Sequence, residues 1–583
     1  MQRPRFDLRS WWAANRVDGR TLRSEAVAGV PGAIGSVPDG MAASVLAGVN
    51  PIHGLYASLV GPIAGGLFSS TRLMVVTTTS AAALAAGSVL AGVPAPDRSA
   101  SLLLLTLLAG ALMVVASALR LGRYVRFVSH SVMMGFLTGV AANIVLGQFG
   151  DLTGMTGEGD YAVTRAWSVL TAPGQWDLAT VLVGLGAMGL VVGLARTPLA
   201  GYAAVVALVV PTAALVLGDV DGVTRVGDVG DIPSSLPTLT LPRLGLLTPD
   251  LLLGAFAVAV IVLVQGAGVS ESAPNEDGSR SDANGDFLGQ GMGNLAAGLL
   301  QGQPVGGSVG QTALNVKAGA TTRWASVASG VWMALIVVVF ARLVGNVAMA
   351  TLAAVLVTAA IGSVRVGEIR TVYLSGVNSR IALTSTFIAT LVLPVPAAVG
   401  TGVVLSLLLQ LNQELVDLRV VELRRRPDGM FEEYPAPRSA PGRTVTVLDA
   451  YGSLLYAGTR TLQAHLPDPA GADRPVVVLR LRGRTSLGAT FLVVMADYAE
   501  RLSAAGGHLF LAGVDPAVQS WIEHTDRLEL GGSVDLVPAT PILGEATGEA
   551  LARAEAWLRE AIDTEKGRPD AGRRCWNSPG SRT

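Results

Sequence analysis

Apolar runs of roughly the ~20 residues that a bilayer-spanning helix needs recur along the chain from Ser24 to about Val420. They predict spans near residues 24–47, 51–68, 74–92, 99–119, 128–148, 177–195, 198–217, 249–270, 286–302, 308–320, 325–343, 347–363, 381–394 and 396–417, about fourteen in all. The third, ninth and tenth runs are short or Gly-rich, and the first contains Pro31 and Pro38. The stretch Glu422–Arg443 then turns abruptly charged and Pro-rich and reads as a linker. Beyond it, strand-like runs at Thr444–Leu448, Val476–Leu481, His508–Val514 and Ser533–Val537 alternate with helix-like runs. The helical runs lie at about Leu455–His465, Gly488–Ala505, Val518–Leu528 and Glu545–Glu560. Such alternation predicts an open, mostly parallel sheet with helices packed against it. The expected organisation is an N-terminal segment over 1–20, a transmembrane domain over 21–420, a linker over 421–442, an α/β domain over 443–563 and a disordered tail over 564–583.

Composition reinforces this division. Of 583 residues, 50% are hydrophobic and only 15% charged, a balance that calls for a membrane solvent. A net charge of −1 suggests neither nucleic acid nor an acidic partner. The single cysteine, Cys575, rules out an internal disulfide framework or a thiolate metal site. His53, His130, His465, His508 and His524 form no metal-ligand spacing, and the sequence offers no nucleophile–base pair, cofactor motif or P-loop. An enzyme is disfavoured, and no cofactor or metal is expected. The first twenty residues are Arg-rich, carry Trp11 and Trp12 and lack an apolar core, so they read as a cytoplasmic interfacial segment and not as a cleaved signal.

Loop charge sets the orientation. Arg72, Arg120, Arg123, Arg126, Arg196, Arg280, Lys317, Arg323, Arg365, Arg370 and Arg380 fall on connections after even-numbered spans. Opposite them lie Arg98, Arg165, Arg225, Arg243 and Arg342, with acid-rich loops around Asp151–Asp160 and Asp219–Asp231. The positive-inside bias then places both termini in the cytoplasm of a multi-pass protein of the cell's inner (plasma) membrane.

Several motifs carry a resemblance. The segment Ala28–Tyr56, with Pro38, Met41, Ala42, Leu46-Ala-Gly-Val and Gly54-Leu-Tyr56, resembles the first two spans of the sulfate permease family of anion transporters. Phe68-Ser-Ser-Thr-Arg72, Asp282-Ala-Asn284, Gly289-Gln-Gly291 and Asn294 look like the same family. So does Pro304-Val-Gly-Gly-Ser-Val-Gly-Gln-Thr-Ala-Leu-Asn315, followed by Ala318-Gly-Ala-Thr-Thr-Arg323. The C-terminal region is similar to that family's STAS domain.

The resemblance implies two inverted seven-span repeats divided into core and gate subdomains, a small inorganic oxyanion of the sulfate or bicarbonate class as substrate, and a homodimer. It further implies that spans 3 and 10 are half-helices holding the anion between their N-termini. A helix N-terminus offers unpaired N–H groups and about half a positive charge, and discontinuous helices at mid-membrane use both. Suitable stretches are Thr77–Ser80 and Gly306–Gly310, which nominate Thr78, Thr79, Ser80, Gly307, Ser308, Val309 and Gly310 as anion-binding. Short caps and helix packing are the plainer readings of such stretches, and packing is the reading for Gly29, Gly32 and Gly35.

The chain also departs from the family pattern. Gln311 stands where many members carry arginine, Gln265 where many carry an acid, and Asp39 where many carry glutamine. An acid within a membrane is a functional candidate by default. If span 1 breaks at Pro38, Asp39 lies beside the anion and could couple its uptake to a proton or sodium ion, or else sit in a wet vestibule and cap backbone N–H groups. Gln265 is a second coupling candidate, with interhelical hydrogen bonding as its alternative, as for Asn143 and Gln148. Glu25 reads as an interfacial charge. In the STAS-like region, Gly488 replaces the usual acid at a helix start while Thr490 survives as a candidate for phosphorylation. An uncoupled channel, an exchanger or a dicarboxylate carrier are the alternatives to a symporter.

Overall fold

The computed structural model describes residues 15–123, 129–159, 161–197, 202–218, 222–229, 234–272, 275, 281–416, 418–454, 456–525 and 527–566. Most of the expected N-terminal segment and tail lies outside them. The chain divides into two compact units, one through Leu407 and one from Leu408.

Each of the apolar runs contains a helix. In chain order these are α1 (Gly19–Leu46), α2 (Ile52–Phe68), α3 (Ser80–Leu90), α4 (Arg98–Ala118), α5 (His130–Gly147), α6 (Leu178–Leu194) and α7 (Ala203–Leu217). There follow α8 (Pro249–Ser272), α9 (Ala283–Leu299), α10 (Val309–Lys317), α11 (Trp324–Gly345), α12 (Met349–Ser363), α13 (Val377–Val392) and α14 (Val395–Val416). By length and composition alone, four described helical stretches suffice to cross a membrane: Ala95–Ala118, His130–Thr153, Pro249–Ser270 and Met349–Ser375. At 1.5 Å per residue, α3 and α10 reach only about 16 and 14 Å, half of a ~30 Å hydrocarbon core. Each is preceded by a three-residue strand, β1 (Val76–Thr78) and β2 (Val305–Gly307).

The helix pairings come in matched sets. α4 packs on α9 as α11 packs on α2, α5 on α13 as α12 on α6, α4 on α8 as α11 on α1, and α3 on α8 as α10 on α1. Adding seven to one helix number gives its counterpart, the signature of the two repeats that the resemblance implies. Helices α1–α4 and α8–α11 pair chiefly with one another, and α5–α7 with α12 and α13.

Two expectations for α1 change. It runs unbroken from Gly19 to Leu46 through Pro31 and Pro38, so span 1 does not break at Asp39. Inside a bundle, neighbouring groups can satisfy the backbone that a proline frees, so the helix need not end there. Glu25 is not an interfacial charge: it is 1% exposed, and its carboxylate accepts from Thr321 N (3.0 Å), Thr321 Oγ1 (2.7 Å) and Thr322 N (3.2 Å).

The second unit holds a six-stranded sheet in the order β4-β3-β5-β6-β7-β8. Its strands are β3 (Arg419–Arg425), β4 (Phe431–Pro435), β5 (Val445–Tyr451), β6 (Val476–Arg480), β7 (His508–Val514) and β8 (Val534–Pro538). β5 to β8 are parallel, as expected. The expected linker over 421–442 carries most of β3 and all of β4, which form an antiparallel hairpin, and β3 pairs antiparallel with β5. Its charges misled, since an edge hairpin exposes polar side chains while its backbone is paired. Alternate strand residues serve two cores. Val477 and Leu479 join Phe491, Met495 and Tyr498 of the helix α15 (Ala489–Ala504), while Val476 and Val478 join Ala550 and Ala554 of the last described helix (Glu545–Lys566).

Candidate functional site

β1 and β2 pair antiparallel, Val76 with Gly307, Thr77 with Gly306 and Thr78 with Val305, within the membrane unit. β-Branched residues at 76–78 favour extended backbone. Ser308 N continues the ladder by donating to Val75 O (2.9 Å). Because the strands run in opposite directions, α3 leaves one end of the ribbon and α10 the other. Four extended residues separate Val75, beside Ser308, from Thr79, a span of about 13 Å.

Small residues let helices reach this backbone. A Cβ on Gly61 would lie 2.7 Å from Val76 O, one on Gly65 2.4 Å from Val76 Cβ, and one on Gly307 3.2 Å from Gly266 Cα. The ribbon is thus wedged between α2 and α8. Along its other side runs α9, whose Asp286, Gln290 and Asn294 share one face at spacing four. Asn294, fully buried, accepts from Val305 N (3.0 Å) and donates to Val305 O (2.7 Å), so a side-chain amide replaces a third strand. Gln290 Oε1 accepts from Gly307 N (3.1 Å), and Asp286 accepts from Thr71 N and Thr71 Oγ1, both at 2.7 Å. Reading the sequence did not give these three residues a role, although their i, i+4, i+8 spacing in an otherwise apolar helix was the available signal.

The nominated residues divide accordingly. Thr78 and Gly307 belong to the ribbon. The Thr78 hydroxyl pairs with Ser58 Oγ (3.2 Å), as does that of Thr77 (3.3 Å), and Gly307 N is taken by Gln290. Thr79 caps α3 by accepting from Ala82 N (3.3 Å), and Ser308 caps α10 by accepting from Gln311 N (3.3 Å). Helix geometry then leaves the first N–H groups, those of Ser80 and Ala81 on α3 and of Val309 and Gly310 on α10, without intrahelical acceptors. Val309 and Gly310 are exposed and Ser80 is half-buried, so both starts border open space.

Asp39 reaches α10. Its carboxylate accepts from Gln311 Nε2 (2.6 Å), one turn inside that helix. The buried Gln311 Oε1 has no partner among the described residues. Asp39 is held by a close crossing, since a Cβ on Gly54 of α2 would lie 1.8 Å from Gly40 O. Gly29 abuts α11, whereas Gly32 and Gly35 abut Asn315 and Gln311 of α10, so all three serve packing. Gln265 is not brought to Asp39 by any hydrogen bond among the described residues. It lines a cavity of about 30 Å³ with Phe136, Thr386 and Val403, and its Oε1 has no donor among the described residues. Asn143 Nδ2 does bond across helices, to Thr390 O (3.0 Å), while among the described residues the Gln148 Oε1 has no donor. Thr490 is half-buried in the first turn of α15, behind the N-cap Gly488.

Two short helices that start from one paired ribbon within a bundle of apolar helices are the architecture of a membrane carrier. The Sulfate permease family profile matches residues 22–374, and the chain belongs to that family. It is an anion transporter and not an enzyme. It is 23% identical over 511 residues to the putative sulfate transporter YvdB of Bacillus subtilis, covering 86% of this chain and 94% of that one. In fold it resembles the murine Slc26a9 anion transporter in its inward-facing state (TM-score 0.79, 17% identity, 93% of each chain). It also resembles the transmembrane domain of a cyanobacterial bicarbonate transporter, BicA (TM-score 0.58, 21% identity, 66% of this chain and 99% of that one).

Proposed function

We propose that the protein is a secondary active transporter of a small inorganic oxyanion, coupled to proton or sodium symport, which binds its substrate between the starts of α3 and α10. The observation that carries this reading is the antiparallel ribbon, from which two capped helices leave with the Ser80, Ala81, Val309 and Gly310 N–H groups free of intrahelical acceptors and with Ser80, Val309 and Gly310 at accessible positions. Four directed donors and two helix dipoles offset the loss of hydration of an oxyanion without any fixed cation. Gln311, in place of an arginine, suits a monoanion such as bicarbonate as well as sulfate, and relatives bear both substrates in their names.

Asp39 supplies the coupling. An ionised Asp39 at the start of α10 would oppose the anion, whereas a protonated one would not. Gln311 can serve both forms: its Nε2 donates to the carboxylate, and a turn of its amide offers Oε1 to accept the acid's proton. Fourteen spans, both termini in the cytoplasm of the plasma membrane, and a homodimer complete the proposal, with Thr490 as a candidate phosphorylation site in the STAS-like unit.

Uptake of labelled sulfate, bicarbonate and fumarate into proteoliposomes under imposed proton or sodium gradients tests substrate and coupling together. Gradient-driven accumulation of sulfate or bicarbonate is expected, and equilibration without accumulation would mean a channel or exchanger. In Asp39→Asn, accumulation should lose its cation dependence. Unchanged dependence would remove Asp39 from the coupling step.

A further inference from the structure

A second feature lies at the far end of α3, within the membrane unit. α1 and α3 end on the face where α4 begins, and there an open cavity of about 530 Å³ separates these helices from α5, α13 and the short helix Ala162–Leu170. Its lining includes Leu84 and Ser88 of α3, Asn143 of α5, Tyr161, and the two arginines Arg98 and Arg165. Leu84 is one helical turn beyond Ser80, so the cavity comes within about 6 Å, measured along the axis, of the helix start proposed to bind the anion.

The charge of this lining is one-sided. Among the described residues, Arg98 and Arg165 are its cations, no carboxylate lines it, and neither arginine is ion-paired. Helix stability does not explain Arg98, because it is the first residue of α4, where the dipole disfavours a cation. Its Nε donates to Val93 O (3.0 Å), which fixes the guanidinium at the cavity edge. Arg165 projects from an amphipathic surface helix whose Ala162, Ala166 and Val169 are buried. A cleft lined by one sign of charge over low-dielectric walls concentrates counter-ions.

We propose that this cavity is a capture vestibule in which Arg98 and Arg165 gather small inorganic anions before they reach the start of α3. The inference rests on the transport reading above and adds the face and the residues through which substrate enters. Initial uptake of labelled sulfate and bicarbonate, started from this face of oriented proteoliposomes and repeated over a range of ionic strengths, tests it. Arg98→Gln and Arg165→Gln should each raise the half-saturating anion concentration about three-fold, and the double variant about ten-fold, with the maximal rate held within two-fold and the salt dependence flattened. The paired Lys variant, which keeps charge without the Nε bond, should restore both. Arg165→Gln, on an exposed side chain, secures the test if changes at Arg98 impair folding. An unchanged half-saturation and salt slope in Arg165→Gln, or a Lys pair as defective as the Gln pair, would overturn the vestibule. Wild-type protein that accumulates neither anion would instead overturn the transport reading itself.

Discussion

The starts of α3 and α10 look alike in sequence and are built differently. The first is anchored by hydroxyls, with Thr77 and Thr78 meeting Ser58 of α2, and among the described residues no ionisable side chain bonds to these hydroxyls. The second is anchored by the carboxamides of Gln290 and Asn294 and is met one turn in by Asp39 through Gln311. One end of the ribbon thus offers a fixed donor array, and the other a donor array beside a group whose charge can change. A carrier that must bind an anion and respond to a cation needs both kinds of end. Under the proposed function, the difference places rigidity at the start of α3 and coupling at the start of α10.

Substitutions can separate these roles. The largest effect is expected for Gly54→Ala, which forces a Cβ to 1.8 Å from Gly40 O and drives apart the α1–α2 crossing that places both Asp39 and Ser58. That contact is backbone and cannot give way locally, so thermal unfolding in detergent should show loss of the folded carrier, and uptake should vanish. Asn294→Leu should damage the α10 end alone. It leaves Val305 N and O buried without partners, at a cost of about 4 kcal/mol, readable as a lowered unfolding temperature with transport abolished. Ser58→Ala is the smallest change. It removes the hydroxyl shared by Thr77 and Thr78, should cost about 1–2 kcal/mol, and should leave the cation dependence of uptake intact. If Ser58→Ala altered cation dependence while Asp39→Asn did not, the division of labour between the two ends would be reversed.

Membership of the sulfate permease family also locates where the sequence was legible. Helix positions followed from apolar runs because a bilayer imposes one solvent on every span, and the two short runs, α3 and α10, were visible as interruptions. The parallel β5–β8 order followed from strand–helix alternation. The β3–β4 hairpin did not, because Arg424, Arg425 and Arg426 signal an exposed surface and say nothing about backbone pairing across an edge.

What the sequence by itself determined is the class of molecule and the two helix starts, since both are written in local composition: apolar length for the spans, and hydroxyl- or Gly-rich residues where a helix begins within one. What only the tertiary structure decided is who meets whom. Pro38 leaves α1 intact, as a bundle permits where neighbouring groups can satisfy the freed backbone, and Glu25 is buried where a turn near residue 321 donates to it. Asn294 acts as a strand because the ribbon passes beside its face of α9. Asp39 finds Gln311 across 272 positions, a distance over which no local pattern carries information. Burial turns such distant contacts into obligations, because a polar group within a membrane protein must be satisfied by whatever the fold brings to it.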